Sequence, residues 1–471
     1  MKKQRTIASI IQVTFSNITT ILSGIVVGML LPKLLSVDDY GWYKTFTLYT
    51  TYVGFCSLGI IDGIVLKHGG DDYQDMDKPL FRNYFRWYNL IHVCFMLCMI
   101  FASLFFKDKN YRFIVFALSI YTILANFSGY FQQISQITQR FREYSMRKLI
   151  YSGLKIANIG LLFIWMIIGN EPTYKVYLIV FLFSELLITG WYLYTYRDIV
   201  VGESYPLKNT YKNIFNLSRI GFPLLFANLC STLILSLDRQ FVSVLFPTDV
   251  YAKYAFAYNM LSLVTVAMSA ISTVLYPTLK RTTEETMKQT YGSLIAIISF
   301  VVFGALSLYY PLCIFVEWFL PKYVESLPIF RIVFPGLALS SSISVVMHNY
   351  YKTLGKSLEY FKKSVVVLVV SGVTNAIAYF VFGSTASISI ASIVTMVFWY
   401  IYAEDLFRKE YQYESKRNLF YLFSMMALFY AISAIKNYYI GFVVYLGAFF
   451  IITWCIHKKT ITVDLKRILS K

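Results

Sequence analysis

The sequence predicts an all-α polytopic membrane protein of about fourteen transmembrane helices, two six-helix lobes related by a parallel repeat plus a C-terminal helix pair. Three observations carry this. Of 471 residues, 57% are hydrophobic and 14% charged, whereas soluble domains average roughly 45–50% and about 25%. Only lipid can cover such an excess. Apolar segments of roughly 20 residues, the length a helix needs to cross a hydrocarbon core of about 30 Å, recur along the whole chain. Short motifs then repeat six spans apart.

The first span follows Met1-Lys2-Lys3-Gln4-Arg5. Its apolar run of about 25 residues contains Gln12 and Asn17, which is too long and too polar for a signal peptide's apolar region. Spans are expected near 6–31, 43–66, 84–106, 112–135, 149–169, 174–196, 214–245, 252–279, 291–316, 327–351, 364–383, 386–403, 418–435 and 438–456. The longest, 214–245, must tilt, kink or extend beyond the bilayer. No stretch between spans is long enough for a soluble domain.

A net charge of +18 would suggest nucleic acid in a soluble protein. Here the basic residues fill short loops, so they set orientation, and no nucleic-acid partner is expected. With the N-terminus inside, about thirty Lys and Arg fall on the cytoplasmic side and about nine outside. The inner groups include Arg140, Arg142, Arg147 and Lys148, then Lys352, Lys356, Lys362 and Lys363, then Arg408, Lys409, Lys416 and Arg417. The tail, with Lys458, Lys459, Lys466 and Arg467, returns to the same side. The six cysteines all sit in apolar segments without CxxC spacing, which implies neither a disulfide framework nor a metal site.

Asp39-Tyr40-Gly41-Trp42-Tyr43 opens the second span and Val250-Tyr251-Ala252-Lys253-Tyr254 the eighth. Arg140-Phe141-Arg142-Glu143-Tyr144 follows the fourth, and Lys356-Ser357-Leu358-Glu359-Tyr360 the tenth. The offsets are 211 and 216 residues. Six spans is an even number, so both copies enter the membrane in the same sense, a transporter architecture with its site between halves. The expected division is 1–200 for the first lobe, 211–404 for the second and 417–457 for the added pair.

The run Ser218-Arg219-Ile220-Gly221-Phe222-Pro223-Leu224-Leu225, then Asn228 and Leu237-Asp238-Arg239, resembles the seventh helix of bacterial polysaccharide flippases. Tyr251-Ala252-Lys253-Tyr254, about a dozen residues later, belongs to the same pattern. Pro32-Lys33-Leu34-Leu35-Ser36 before Asp39-Tyr40-Gly41-Trp42-Tyr43 resembles their link between helices one and two. These are Wzx-type proteins of the multidrug/oligosaccharidyl-lipid/polysaccharide exporter superfamily. Val250 stands where that family often has glycine. The resemblance implies fourteen helices in the bacterial inner membrane with both termini cytoplasmic. It further implies alternating-access transfer of an undecaprenyl-pyrophosphate-linked oligosaccharide (O-antigen, capsule or another surface repeat unit) to the outer leaflet. Membrane lipids and other polysaccharide-assembly proteins are the implied partners, and no cofactor is implied beyond coupling to a H⁺ or Na⁺ gradient.

Polar groups at membrane depth are costly and mark candidate sites, and an anionic pyrophosphate calls for Arg or Lys. Asp238 and Arg239 lie about two-thirds across the seventh span. Adjacent residues project about 100° apart, so one faces a cavity while the other meets a different helix. Lys44 is a candidate partner for Asp238. Glu185 sits near the middle of the sixth span, offset from Lys155 by only about 6 Å along the membrane normal, as a structural pair or an ion-coupling group. Arg219 near the inner end snorkels or captures a headgroup. Asp62 lies within Gly59-Ile60-Ile61-Asp62-Gly63, whose glycines suit close helix packing, as do Gly24 and Gly28. Gln12, Asn17 and Asn228 can bond between helices or to sugars.

Asp71-Asp72-Tyr73-Gln74-Asp75 spells the DDxxD of prenyltransferases, but no second such motif exists, so a solvated acidic loop and no enzyme activity are expected. A multidrug cation antiporter would normally have twelve spans and an acidic cavity. A peptidoglycan-precursor flippase, also of fourteen spans, is the other alternative.

Overall fold

The computed structural model describes residues 2–413 and 415–459; the predicted tail residues Lys466 and Arg467 lie outside them. Every described element is a helix. Among the described residues ten helices are long and apolar enough to cross a membrane, twelve if each of two bent pairs is one span. The chain is therefore a multi-pass membrane protein. The predicted eighth and thirteenth spans are also helical, at Thr248–Lys280 and Lys416–Ile432, but fall outside that set. Length and composition thus support ten to twelve of the fourteen expected spans.

The chain divides into two compact units, Met1–Thr232 and Leu233–Lys471. The first begins with α1 (Lys2–Leu34) and α2 (Val37–Thr50), the latter started by Ser36, whose hydroxyl accepts from the Asp39 amide. A short 3-10 turn leads to Leu58 and Gly59, both left-handed, before α3 (Ile60–His68) departs at 58°. Next come α4 (Lys78–Ser103), α5 (Lys109–Ile137), α6 (Phe141–Ile167) and α7 (Tyr174–Thr195). Asp77, Asp108 and Thr173 cap the first amides of α4, α5 and α7, which would otherwise lack partners. The aromatic core of this unit joins Phe85, Tyr88, Tyr130, Phe131 and Tyr192 from α4, α5 and α7.

The first part of α8 (Leu207–Leu245) packs on α3 within this unit. A Cβ on Gly59 would lie 2.5 Å from the Phe222 amide nitrogen, and one on Gly63 would overlap the Leu217 carbonyl oxygen. The glycine pair lets two backbones touch, as its spacing suggests. Gly24 has open space where its Cβ would be.

In the second unit α9 (Thr248–Lys280), α10 (Glu284–Ala305) and α11 (Tyr309–Phe319) precede a broken span. Its pieces are α12 (Leu327–Val333), α13 (Gly336–Ser341), a π-helical segment Ser342–Met347 and α14 (His348–Thr353). The break bends the span by 54° at Pro335, where a missing amide hydrogen and a ring clash interrupt the helix. The unit ends with α15 (Ser357–Ile377), α16 (Thr385–Tyr411), α17 (Lys416–Ile432) and α18 (Tyr438–Lys459).

Both copies of the second sequence repeat fold alike. Gln139 and Gly355, each left-handed, precede Arg140 and Lys356, which head α6 and α15. One turn on, Glu143 faces Arg147 at 3.8 Å and Glu359 faces Lys363 at 3.7 Å. Each of these cations also covers a tyrosine of the next helix, Tyr192 at 4.3 Å and Tyr402 at 5.2 Å.

Candidate functional site

Within the second unit lies a cavity of about 750 Å³. Three helices supply its polar wall by simple periodicity. On α9 the lining residues Tyr258, Ser262, Thr265, Ser272 and Tyr276 recur at three- and four-residue steps or their multiples, one face of a helix. On the broken span Gly336, Ser340 and Ser344 follow four-residue steps, as do Leu337, Ser341, Val345 and Asn349 beside them, and Lys352 comes one turn after Asn349. The π-helical turn Ser342–Met347 lies within this face. His348, beside this face, stacks on Tyr360 with centroids 4.7 Å apart. From α16 come Ser392, Ile393 and Met396.

Arg239 from α8 closes one end. Its Nη2 donates to the Leu235 carbonyl at 2.7 Å, and its guanidinium lies 4.9 Å from the Tyr258 ring centre. Among the described residues Nε has no hydrogen-bond partner, and no carboxylate pairs with the group. Asp238 points elsewhere: it is 3% exposed and accepts hydrogen bonds from the Tyr254 hydroxyl at 2.8 Å and from the Tyr258 hydroxyl. Tyr258 therefore holds the carboxylate with its oxygen and the guanidinium on its face.

Lys352 lines the cavity at the far end and makes no hydrogen bond or ion pair to any described residue. Nearby, Asn349 Nδ2 donates to Ser272 Oγ at 2.9 Å, tying α14 to α9. Along α9, Tyr258 and Ser272 are separated by about 21 Å at ~1.5 Å per residue. The cavity thus presents two cations at either end of a lane of hydroxyls.

The first unit holds the second predicted group. Glu185 on α7, 5% exposed, accepts from the Tyr151 hydroxyl of α6. Lys155 lies 4.4 Å over the ring of Tyr151 rather than within ion-pair distance of Glu185. The phenol therefore stands between the two charges that the sequence suggests as a pair. Lys44 lies over the rings of Tyr40 and Tyr43, at 5.2 and 5.8 Å. Asn17 accepts from Lys148 at 2.9 Å, joining α1 to α6. Arg219 is exposed and shares a 490 Å³ niche with Lys67, Asn213 and Asn216. Asp62 sits beside the contact between α3 and α8, and Asn228 is exposed. Of the DDxxD loop, Asp72 and Asp75 are exposed, while Asp71 pairs with His68 at 3.0 Å.

Arg239 and Asp238 are thus joined through Tyr258, and Glu185 and Lys155 through Tyr151, while Asp62 and Asn228 enter neither cluster. Sequence reasoning missed Lys352, Tyr258 and the serine row. Lys352 sits at a span end, where lysine is taken for an orientation signal. The four-residue spacing of Gly336, Ser340 and Ser344 was the visible sign of a polar face.

A sequence profile of the family described as "Polysaccharide biosynthesis protein" matches residues 7–283. No curated protein sequence matches significantly. Among solved structures, one titled "Lipid II flippase MurJ, inward closed conformation" superposes with a TM-score of 0.72 at 12% identity, covering 97% of this chain and 100% of that one. An inward-facing multidrug resistance MATE family transporter of the MOP superfamily gives 0.62 at 14% identity, covering 84% and 95%. Its outward-facing counterpart gives 0.54 at 12% identity, with the same coverage. At such identities the likeness is one of fold, and these neighbours are a flippase and transporters, not enzymes.

Proposed function

As the chain belongs to the polysaccharide biosynthesis protein family, we propose that it is a flippase carrying an undecaprenyl-pyrophosphate-linked oligosaccharide from the cytoplasmic to the outer leaflet. Family and fold are those of a membrane flippase or transporter; the cargo and its direction are our reading. The observation that carries it is the hydroxyl-lined cavity with Arg239 and Lys352 at its two ends. Neither cation has a carboxylate partner among the described residues. A cationic drug would be repelled by both, whereas a pyrophosphate is attracted to each in turn.

With the N-terminus inside, as the loop charges favour, Lys352 lies at the cytoplasmic end and Arg239 toward the outer face. Alternating access then passes the anion from one to the other, with Arg239 offering the planar donor fork that suits phosphate. Sugars are held along the way by Ser262, Thr265, Ser340 and Ser344. The polyprenyl tail stays in lipid. The niche formed by Lys67 and Arg219 is a first contact for the headgroup at the inner surface. Other membrane proteins of polysaccharide assembly supply and consume such a cargo.

The test is reconstitution of the full chain in vesicles with a defined lipid-linked oligosaccharide, scoring glycan exposed to an impermeant glycosidase. Arg239→Gln and Lys352→Gln are each expected to slow transfer on the order of tenfold, the scale of one lost charge-assisted contact. Arg239→Glu should slow it more, and unchanged transfer in that variant removes the cationic path. Coupling to a proton gradient is assigned to Glu185, the carboxylate buried beneath Tyr151. An imposed pH gradient should accelerate transfer by the unsubstituted protein and not by Glu185→Gln; equal acceleration in both withdraws that role.

A further inference from the structure

At the opposite end of the second unit from Lys352, a separate pocket of about 740 Å³ opens between α11, α12, α16, α17 and α18. That volume falls within the roughly 300–1,000 Å³ of small-ligand sites. Two opposite charges line it. Arg331 is anchored by Nε to Ser433 Oγ at 2.8 Å and by Nη2 to the Tyr430 carbonyl at 2.7 Å. This leaves Nη1 without a protein partner among the described residues. Glu317 accepts from the Tyr438 hydroxyl at 2.6 Å through Oε1, and its second oxygen carries no protein hydrogen bond among the described residues. Although Arg331 and Glu317 share the pocket, they form no ion pair with each other within 4.0 Å.

Arg331 is half-buried and Glu317 exposed, so together they offer a positive and a negative group to one dipolar ligand at the mouth of the pocket. The rest of the lining is apolar, with Leu327, Ile332, Ile390 and Val394 forming a surface suited to acyl chains. We propose that this pocket binds a zwitterionic phospholipid of the ethanolamine class, its phosphate on Arg331 and its ammonium on Glu317. A purely anionic headgroup would satisfy the guanidinium but meet the carboxylate as a like charge. A choline headgroup has no N–H to donate to Glu317.

The pocket also adjoins the transport cavity. Ile393 lines both spaces, and a Cβ on Gly336 would lie 2.5 Å from Ile393 Cδ1. A lipid seated here therefore backs the wall that α16 gives to the cavity. The site stands whatever the cargo proves to be.

The experiment uses the full chain, purified in detergent and offered phosphatidylethanolamine, phosphatidylglycerol or phosphatidylcholine singly, with binding read by native mass spectrometry and thermal unfolding. The ethanolamine lipid should bind on the order of tenfold more tightly than the other two, the worth of one charge-assisted contact. Arg331→Gln should weaken both phosphatidylethanolamine and phosphatidylglycerol. Glu317→Gln keeps an acceptor for Tyr438 and so leaves the fold intact, and it should abolish the preference for ethanolamine over glycerol. Equal binding of all three lipids to the unsubstituted protein overturns the proposal. So does an ethanolamine preference that survives Glu317→Gln, or displacement of the lipid by undecaprenyl phosphate at equal concentration.

Discussion

A methyl group on Gly63 would overlap the backbone carbonyl of Leu217, and one on Gly221 would overlap the backbone of Gly59. No side chain can move aside there, because the obstacle is main chain. Overpacking in a core costs ~1–3 kcal/mol. Gly63→Ala is therefore expected to cost about 3 kcal/mol, at the upper end of that range, seen as a lower unfolding temperature in detergent. A Gly24→Ala control, which meets open space, should change little. At this scale the sequence was legible where one residue type has one use, as in the paired glycines of α3. It was ambiguous where geometry decides. Glu185 and Lys155 were visible as charges at depth, but only the fold interposes the Tyr151 hydroxyl. Lys352 has the look of a loop charge because a span-end lysine usually extends toward water; the bend at Pro335 and the turn after it bring this one to the cavity.

The segment 197–206 illustrates what an element adds. Three residues on one face of α4 hold it: Arg82 donates to the carbonyls of Asp198 and Glu203, Asn83 to that of Tyr205 and Arg86 to that of Gly202, while Trp87 donates to Thr210 just beyond it in α8. The other side of Asp198 receives Tyr73 at 2.6 Å and Lys78 at 3.0 Å. Partial burial alone would raise the Asp198 pKa, but these donors outweigh it and hold the carboxyl below its ordinary 3.8. A carboxyl depressed on folding stabilises fully above its unfolded value and loses that contribution as pH falls through the folded one. Hydrogen exchange of 197–206 should therefore accelerate as pH drops below about 3.8, beyond the intrinsic pH effect. Asp198→Asn should show the looser segment throughout, without that step. None of this was readable beforehand, since the partners lie more than a hundred residues apart. Helix identity, by contrast, was plain from apolar length, and only breaks within spans escaped it. Residues 327–351 look continuous in hydropathy, yet Pro335 bends the span and Ser342–Met347 are π-helical.

Over the whole molecule, composition alone identified lipid as the solvent, because no water-soluble arrangement hides so much apolar surface. The paired motifs carried more information than their short length suggested. Within each unit the second motif builds the same device, a left-handed residue, a basic helix start and an acid–base pair one turn later. Fourteen apolar segments did not become fourteen equal spans, since α9 and α17 fall outside the helices long and apolar enough to cross and two helix pairs are bent. Length in sequence counts residues, whereas crossing a bilayer depends on axial rise, and bends and π turns use up residues without advancing the helix.

The π-helical turn at Ser342–Met347 also decides how this chain tolerates being shortened. Deleting one residue from a regular membrane helix swings everything beyond it by about 100° and reverses which groups meet lipid. A π turn already carries one residue more than the α-helix on either side of it. Removing a residue such as Val346 lets the backbone settle into ordinary α-helix while Asn349 and Lys352 keep their heading. The wall of the cavity therefore contains a position where a codon can be lost in frame without a change of face. A loss elsewhere in α13 or α14 would scramble it.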